Sequence, residues 1–267
     1  MTKSTPATVH SMIVATIALC AIISYPVSAQ QTGNRAEEVA NEAIARLAGW
    51  QNQTAREILE RNRDVLGSSP EFKTAWALLE IQDGAGKNKN NSNQGEKSLG
   101  QLSANGASSG STAYFHGEAL YLKGDKNGAN ASWQKAANLA GTRVAAKATD
   151  ATAQFYRGAS LVRLKKFDDA RTALLIAVRG GFDPAMVNHQ IGLSHLYGGQ
   201  WQPAKDAFDI GLAVNPQFAP MYFWRAMASE KLGRKDNMLI DLDQFVKLAP
   251  NSPEAGKARS ILKSAGR

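Results

Sequence analysis

The sequence predicts an all-α solenoid: about six stacked helix–turn–helix pairs, closed at the C-terminus by a capping helix. Three observations carry that prediction. Residue types recur every 34 positions, as in Gly158 and Gly192, Ala170 and Ala204, and Phe167 and Trp201. Small residues occupy fixed offsets inside that unit. Prolines 34 apart, Pro216 and Pro250, mark where two of the units end. A period of this length with small residues at set places is the mark of paired helices stacked into an array.

The first 29 residues read as a segment apart from the array. Lys3 and His10 precede an apolar run from Met12 to Ile23, and Val27-Ser28-Ala29 supplies small residues ahead of Gln30. That order is the signature of a secretory signal peptide cut before Gln30. The run is about 12 residues long, against roughly 20 for a membrane span, which argues against a retained anchor. Cys20 raises the question of lipidation, but Leu19 before it fits a lipidation motif badly. Cleavage also removes the only cysteine, leaving neither a disulfide nor a thiolate for catalysis or metal binding. A cysteine-free chain is compatible with the oxidising periplasm, the compartment that export predicts.

Residues 30–109 carry weakened repeats. Ala36–Val65 keeps Ala43, Ala55 and Leu59 at the expected offsets but places Glu42 and Arg46 where the array is apolar. Degenerate terminal units are usual in such arrays. The next pair opens with Ser69-Pro70-Glu71, an N-cap, a proline at the first helical position and an acid in the first turn. Trp76 and Ala77 follow, and the template resumes at Leu99 and Leu102 after a six-residue insertion. The Gly/Asn/Lys-rich stretch Gly84–Gln94 therefore reads as a solvated loop between the two helices. Its Gly86-Lys87 lacks the glycine five residues earlier and the Ser/Thr that follows in a phosphate-binding loop.

From Gly110 to Pro250 the template is regular, in units 110–143, 151–184, 185–218 and 219–252. With Ala185 as position 1, Ile191 and Gly192 fall at 7 and 8, His195 at 11, Trp201 at 17, Ala204 at 20, Phe208 at 24 and Gly211 at 27. Positions 4, 7, 8 and 11 share one helical stripe, and 20, 24 and 27 make the facing stripe. Small residues at 8, 20 and 27 let two helices cross closely, while large ones at 7, 17 and 24 fill the flanks. Gly117, Leu120, Ala129 and Trp133 repeat the pattern upstream, followed by seven extra residues, Val144–Asp150. Residues 252–267 open with Ser252-Pro253-Glu254. An apolar stripe follows, Ala255, Ala258, Ile261, Leu262 and Ala265, with Lys257, Arg259 and Lys263 outside it, as a capping helix requires.

Glycine at position 8 (Gly117, Gly158, Gly192), alanine at 20 (Ala129, Ala170, Ala204) and proline at 32 (Pro216, Pro250) resemble the tetratricopeptide repeat family. The sequence departs from that pattern in lacking tryptophan at position 4 and in carrying Arg225 and Met238 where the last full repeat is normally apolar and small. The resemblance implies a right-handed superhelix whose inner groove is lined by positions 2, 5, 9 and 12 of each first helix. Those positions centre roughly 130° from the packing stripe on a helical wheel. The implied groove residues are Tyr114, Glu118, Tyr121, Phe155, Val162, His189, Leu193, Leu196, Phe223 and Met227. If position 5 lines the groove, Tyr114, Phe155, His189 and Phe223 form a solvent-facing ladder able to anchor a bound segment. The alternative is that these side chains pack against a neighbouring second helix. The family's lysine and asparagine clamp for a terminal carboxylate is absent, in agreement with export.

No catalytic constellation stands out, and neither a cofactor nor a metal site is predicted. His189 and His195 are six apart, on different helical faces, whereas ligands on one face stand three or four apart. The net charge of +8, or +7 without Lys3, is spread along the chain, with small concentrations at Lys87–Lys97 and Lys257–Arg267. This is not the aromatic-interleaved basic face that nucleic acid demands. Two functions follow as expectations. One is a non-enzymatic periplasmic scaffold that holds a protein or peptide, as an accessory factor of a cell-envelope assembly, secretion or polysaccharide-export machinery. The other is a glycan- or wall-associated protein whose basic surface, with Trp133 or Trp201, meets an acidic glycan. Contact with an anionic membrane surface also stays open.

Overall fold

The computed structural model describes residues 29–84, 89–104 and 109–266. The residues before Ala29, which the sequence reading assigns to a signal segment, lie outside the described residues. Thirteen helices and no strand occur among those described. They make six pairs: α1 (Ala29–Ala48) with α2 (Asn52–Leu66), α3 (Pro70–Gly84) with α4 (Lys89–Ala104), and α5 (Gly110–Leu122) with α6 (Lys126–Ala146). The others are α7 (Ala151–Arg163) with α8 (Phe167–Arg179), α9 (Pro184–Tyr197) with α10 (Trp201–Val214), and α11 (Ala219–Lys231) with α12 (Lys235–Leu248). Helix α13 (Ala255–Ser264) closes the stack. No described helix is long and apolar enough to cross a membrane.

Side-chain caps begin several of these helices by satisfying orphan N–H groups. Ser69 Oγ accepts from Phe72 N–H at 3.1 Å, and Asp150 and Asp183 accept from Ala153 and Met186 N–H at 2.9 and 2.8 Å. The crossing rule read from the sequence holds. A Cβ placed on Gly117 would stand 2.6 Å from the Trp133 ring, and one on Gly158 2.6 Å from Leu174. On Gly192 it would stand closer still to the Phe208 ring. Position 8 is thus the floor on which the position-24 side chain rests, and Ala43 with Leu59 and Ala77 with Leu99 repeat the pairing, all buried.

Three expectations need correction. The predicted loop Gly84–Gln94 is mostly helix: α4 begins at Lys89, and only residues 85–88 lie outside the described residues. The polar run is able to join the helix because Gly95 comes against the Ala77 carbonyl, where a side chain would not fit. The extra residues Val144–Asp150 are partly absorbed by α6, which runs to Ala146. Ser252 does not cap α13. A turn closed by Ser252 N–H to Ala249 O and Ala255 N–H to Ser252 O, both 3.1 Å, intervenes, and the Ser252 hydroxyl is buried without a partner.

Position 15, the turn between paired helices, adopts a left-handed backbone in five repeats: Gly124 (φ 87°), Gly199 (74°) and Gly233 (73°), but also Trp50 (60°) and Lys165 (61°). Glycine enters that region freely; other residues pay a steric cost of roughly 1–2 kcal/mol.

The first pair reaches far beyond its neighbour. Arg143 at the end of α6 donates to both oxygens of Glu37 in α1 at 2.9 and 3.1 Å, and to Asp150 at 2.7 Å. Asn41 donates to Thr152 Oγ1 of α7 at 3.1 Å. Gly49 lies against the Gln217 carbonyl before α11, and Trp50 packs on the C-terminal core of Phe223, Phe245 and Ala255. Helix α1, with Ala36, Ala40, Ala43, Ile44 and Leu47 all buried, therefore bridges repeats three to six. The stack curls until its first pair meets its last.

Lys165→Gly should relieve the strained turn and stabilise the protein by about 1 kcal/mol. Urea denaturation would read this as a higher midpoint at an unchanged slope; an unchanged or lowered midpoint would mean that the Lys165 side chain earns back its backbone cost in the free protein.

Candidate partner-binding cavity

The curl encloses a cavity of about 900 Å³ between two walls. One wall is α1 and α3, through Ile44, Leu47, Leu78 and Ile81; the other is the row of first helices from α5 to α11. Of the ten residues implied as groove-lining, Tyr114, Glu118, Tyr121, Phe155, Val162, His189, Leu193 and Phe223 line this cavity; Leu196 and Met227 do not.

Lining is not exposure, and the expected solvent-facing ladder at position 5 is corrected here. Phe155 is 1% exposed and Phe223 4%, and Tyr114, Val162 and Leu193 are likewise buried. Phe155, His189 and Phe223 wedge into their own pair or against the turn that begins the next, whereas Tyr114 reaches Tyr156 of α7 and Gln190 of α9. Phe155 stacks on Phe182 with ring centres 4.1 Å apart, and Phe223 meets Phe245 at 5.2 Å. His189 lies 5.2 Å from Phe218 and 6.3 Å from Phe208, and the Tyr114 hydroxyl receives Gln190 Nε2 at 3.4 Å. Superhelical curl turns position 5 into the seam between repeats. Position 13, one residue beyond position 12, supplies the accessible inner surface instead, with Leu122 at 65% exposure and Tyr197 at 37%; Tyr121 of position 12 is 49% exposed.

Arg163 sits at the centre of that surface. Its Nε donates to Glu118 Oε1 at 2.8 Å, a second nitrogen grips Oε2, and Nη1 donates to Tyr197 OH at 3.1 Å. The guanidinium also faces the rings of Trp133 (5.6 Å), Tyr121 and Tyr197 (both 6.0 Å). Burial works against its charge, but Glu118 and the surrounding tyrosines more than offset this and hold it well above its ordinary range. The Arg163–Tyr197 contact joins residues 34 apart, so the repeat period itself was the signal that could have found it. Gln190, Trp224 and Lys165 carried no such signal.

Arg225, a departure from the expected pattern, also has its partners. It reaches Asp241 at 2.9 and 2.6 Å and Asp209 at 2.7 Å, tying α11 to both α12 and α10. Met238 is buried at its small-residue position. That same unit is recognisable by itself: residues 221–252 match the tetratricopeptide repeat model. The chain carries a tetratricopeptide repeat. Among solved structures, a chain of the APC/C hetero-tetramer Cut9–Hcn1 aligns over 89% of this chain and 42% of its own, at 13% identity and TM-score 0.51, a likeness of fold. MamA from Desulfovibrio magneticus RS-1 aligns over 68% of this chain and 97% of its own, at 15% identity and TM-score 0.41. MamA of MSR-1 aligns over 67% and 97%, at 17% identity and TM-score 0.40. No curated protein matches the chain.

One titratable group of this repeat protein couples the cavity wall to pH. Burial, aided by the charge of Arg163, pushes His189 down to about 3, so it is neutral in the folded state. The unfolded chain takes up a proton near pH 6.5, so this contribution to stability is present above that pH and is lost as pH falls towards 3, by at most about 1.4 kcal/mol per unit. Compared with His189→Leu, the wild type should lose stability more steeply between pH 6.5 and 4. Parallel acid limbs in urea titrations would show that His189 is not buried neutral.

Proposed function

We propose that this chain is a protein-interaction scaffold of the cell envelope, exported by its N-terminal segment, which holds a segment of a partner protein at the central cavity. The observation that carries the reading is the accessible inner surface: Tyr121, Leu122, Tyr197 and Arg163, with Trp224 beside them, converge on one concave site. Tyrosine, tryptophan and arginine are the residue types that dominate interface energies. An apolar, concave surface with a few placed polar groups is what a bound segment buries against. The fold supports scaffolding and not chemistry, since repeat arrays of this kind work by presenting an extended surface. An accessory role in envelope assembly, secretion or polysaccharide export follows from the proposed export together with the scaffold.

The glycan reading keeps a narrower base. Trp133 is 4% exposed and packs beneath Arg163, so it offers no face for a sugar to stack on. The exposed cations of the turns, such as Lys166 and Arg234, remain as its support.

Tyr121→Ala combined with Leu122→Ala should lower capture of a partner from envelope extract at least tenfold, because such anchors commonly carry about 2 kcal/mol or more. Since both side chains are exposed, the melting temperature should hardly move. Capture that survives the double substitution but collapses with added salt would overturn the cavity reading in favour of the anionic glycan.

A further inference from the structure

Helix α1 backs the cavity at one end. Asn41 donates to Thr152 Oγ1 at the start of α7, and Gly49 lies against the Gln217 carbonyl just before α11. Between those two contacts Ile44 and Leu47 are buried on the lining, which they share with Met186 in the first turn of α9. The helix therefore runs across the N-terminal ends of α7, α9 and α11.

The exposed part of the lining gathers at the opposite ends of the first helices. Tyr121, Leu122 and Tyr197 end α5 and α9, Lys165 is in the turn after α7, and Lys126 and Asn130 begin α6. Among the described residues, Pro253 before α13 is the one exposed lining residue outside that group. The walls between are apolar, through Leu78, Ile81, Phe115 and Trp224. Helices α5, α7 and α9 have 13, 13 and 14 residues, about 20 Å at 1.5 Å per residue, the length of an extended chain of about 16 carbons.

The charges add a polarity to this cup. Lys126 and Lys165 form no ion pair among the described residues, whereas Lys123 beside them is held by Glu96. Arg163 is already matched by Glu118, and Glu254, the other acid on the lining, follows Pro253. The non-glycine residues with left-handed backbone, Trp50 and Lys165, both line the cavity. Strain kept at such a place points to a use for the side chain.

We propose that the cavity is a binding site for a single-chain anionic amphiphile of the long-chain fatty acid class. Its tail lies against Ile44 and Leu47, and its carboxylate lies between Lys126 and Lys165. A polymer laid along a groove needs both ends open, whereas one acyl chain enters a backed cup from its exposed end. The volume of about 900 Å³ is that of a small-ligand site, and each methylene buried adds to affinity. This goes beyond the scaffold role: partner anchors meet the exposed rim, and the chain fills the depth.

Isothermal titration calorimetry below micelle-forming concentrations tests the site with palmitate, octanoate and hexadecylamine. Palmitate should bind one per chain, at least tenfold more tightly than either of the others. Lys126→Gln with Lys165→Gln should abolish the preference over hexadecylamine and leave the melting temperature unchanged, since both side chains are exposed. Ala48→Trp, on the lining in α1, should fill the depth and weaken palmitate at least tenfold with the helices retained by circular dichroism. Should that variant fail to fold, the lysine pair and the chain-length comparison still decide. Failure of palmitate to bind, equal binding of the amine, a preference that survives both lysine changes, or affinity indifferent to chain length would each overturn the inference. So would flotation with phosphatidylglycerol vesicles by protein that takes up no free palmitate, which would assign the cations to a bilayer surface. The scaffold role would fail separately, through partner capture that ignores Tyr121→Ala with Leu122→Ala.

Discussion

Everything in this molecule follows from how closely two paired helices cross at position 8. Gly117, Gly158 and Gly192 leave no Cβ in the way, so Trp133, Leu174 and Phe208 rest directly on the backbone of the partner helix. A methyl group there would collide with a ring or a branched carbon, and close-packed interiors relax too little to absorb it. That contact fixes the geometry of each pair, and stacking repeats it along the chain. The accumulated rotation curls the row of first helices inward. The seam residues Tyr114, Phe155 and Phe223 are buried and His189 is half-buried as a consequence, and the first pair comes within reach of the last.

Closure then sets the electrostatics. Arg143 is shared between Glu37 of the first repeat and Asp150 at the start of α7, so one guanidinium holds three elements together. Such a paired charge, truncated on one side, leaves a costly unpaired partner. Within the enclosed space Glu118 and the surrounding tyrosines offset the burial that works against the Arg163 charge, while burial and that charge together hold His189 neutral. The cavity is therefore apolar and aromatic in its walls, and Lys126 and Lys165 are exposed cations on its lining.

What was legible in the sequence was the part governed by local spacing. Position 8 against position 24 involves residues 16 apart in one helix pair, such as Gly192 and Phe208, and period alone places them face to face. The same holds for the stripe of α13, where Ala255, Ala258 and Leu262 are buried as their spacing implies. Closure was not legible. Asn41 and Thr152 are 111 residues apart, and no periodic signal links a weakened first repeat to the fourth. The ladder at position 5 was misplaced for a related reason. A helical wheel gives direction relative to a helix's own partner, whereas burial depends on the next repeat, through contacts such as Phe155 on Phe182. Composition misled at Lys89–Gln94, where polar, glycine-flanked residues form the start of α4 because the packing of Gly95 on Ala77 outweighs weak propensity.

The central claim is that the first pair closes the array onto the last, since the cavity exists only if it does. Spin labels at Gly49→Cys and Gln217→Cys, in a chain whose native Cys20 is replaced by serine or removed, measure that closure directly. The closed arrangement predicts a single narrow distribution at the short end of the measurable range, in keeping with the contact between these two residues. A broad distribution centred at the long separations of an open superhelix would contradict it.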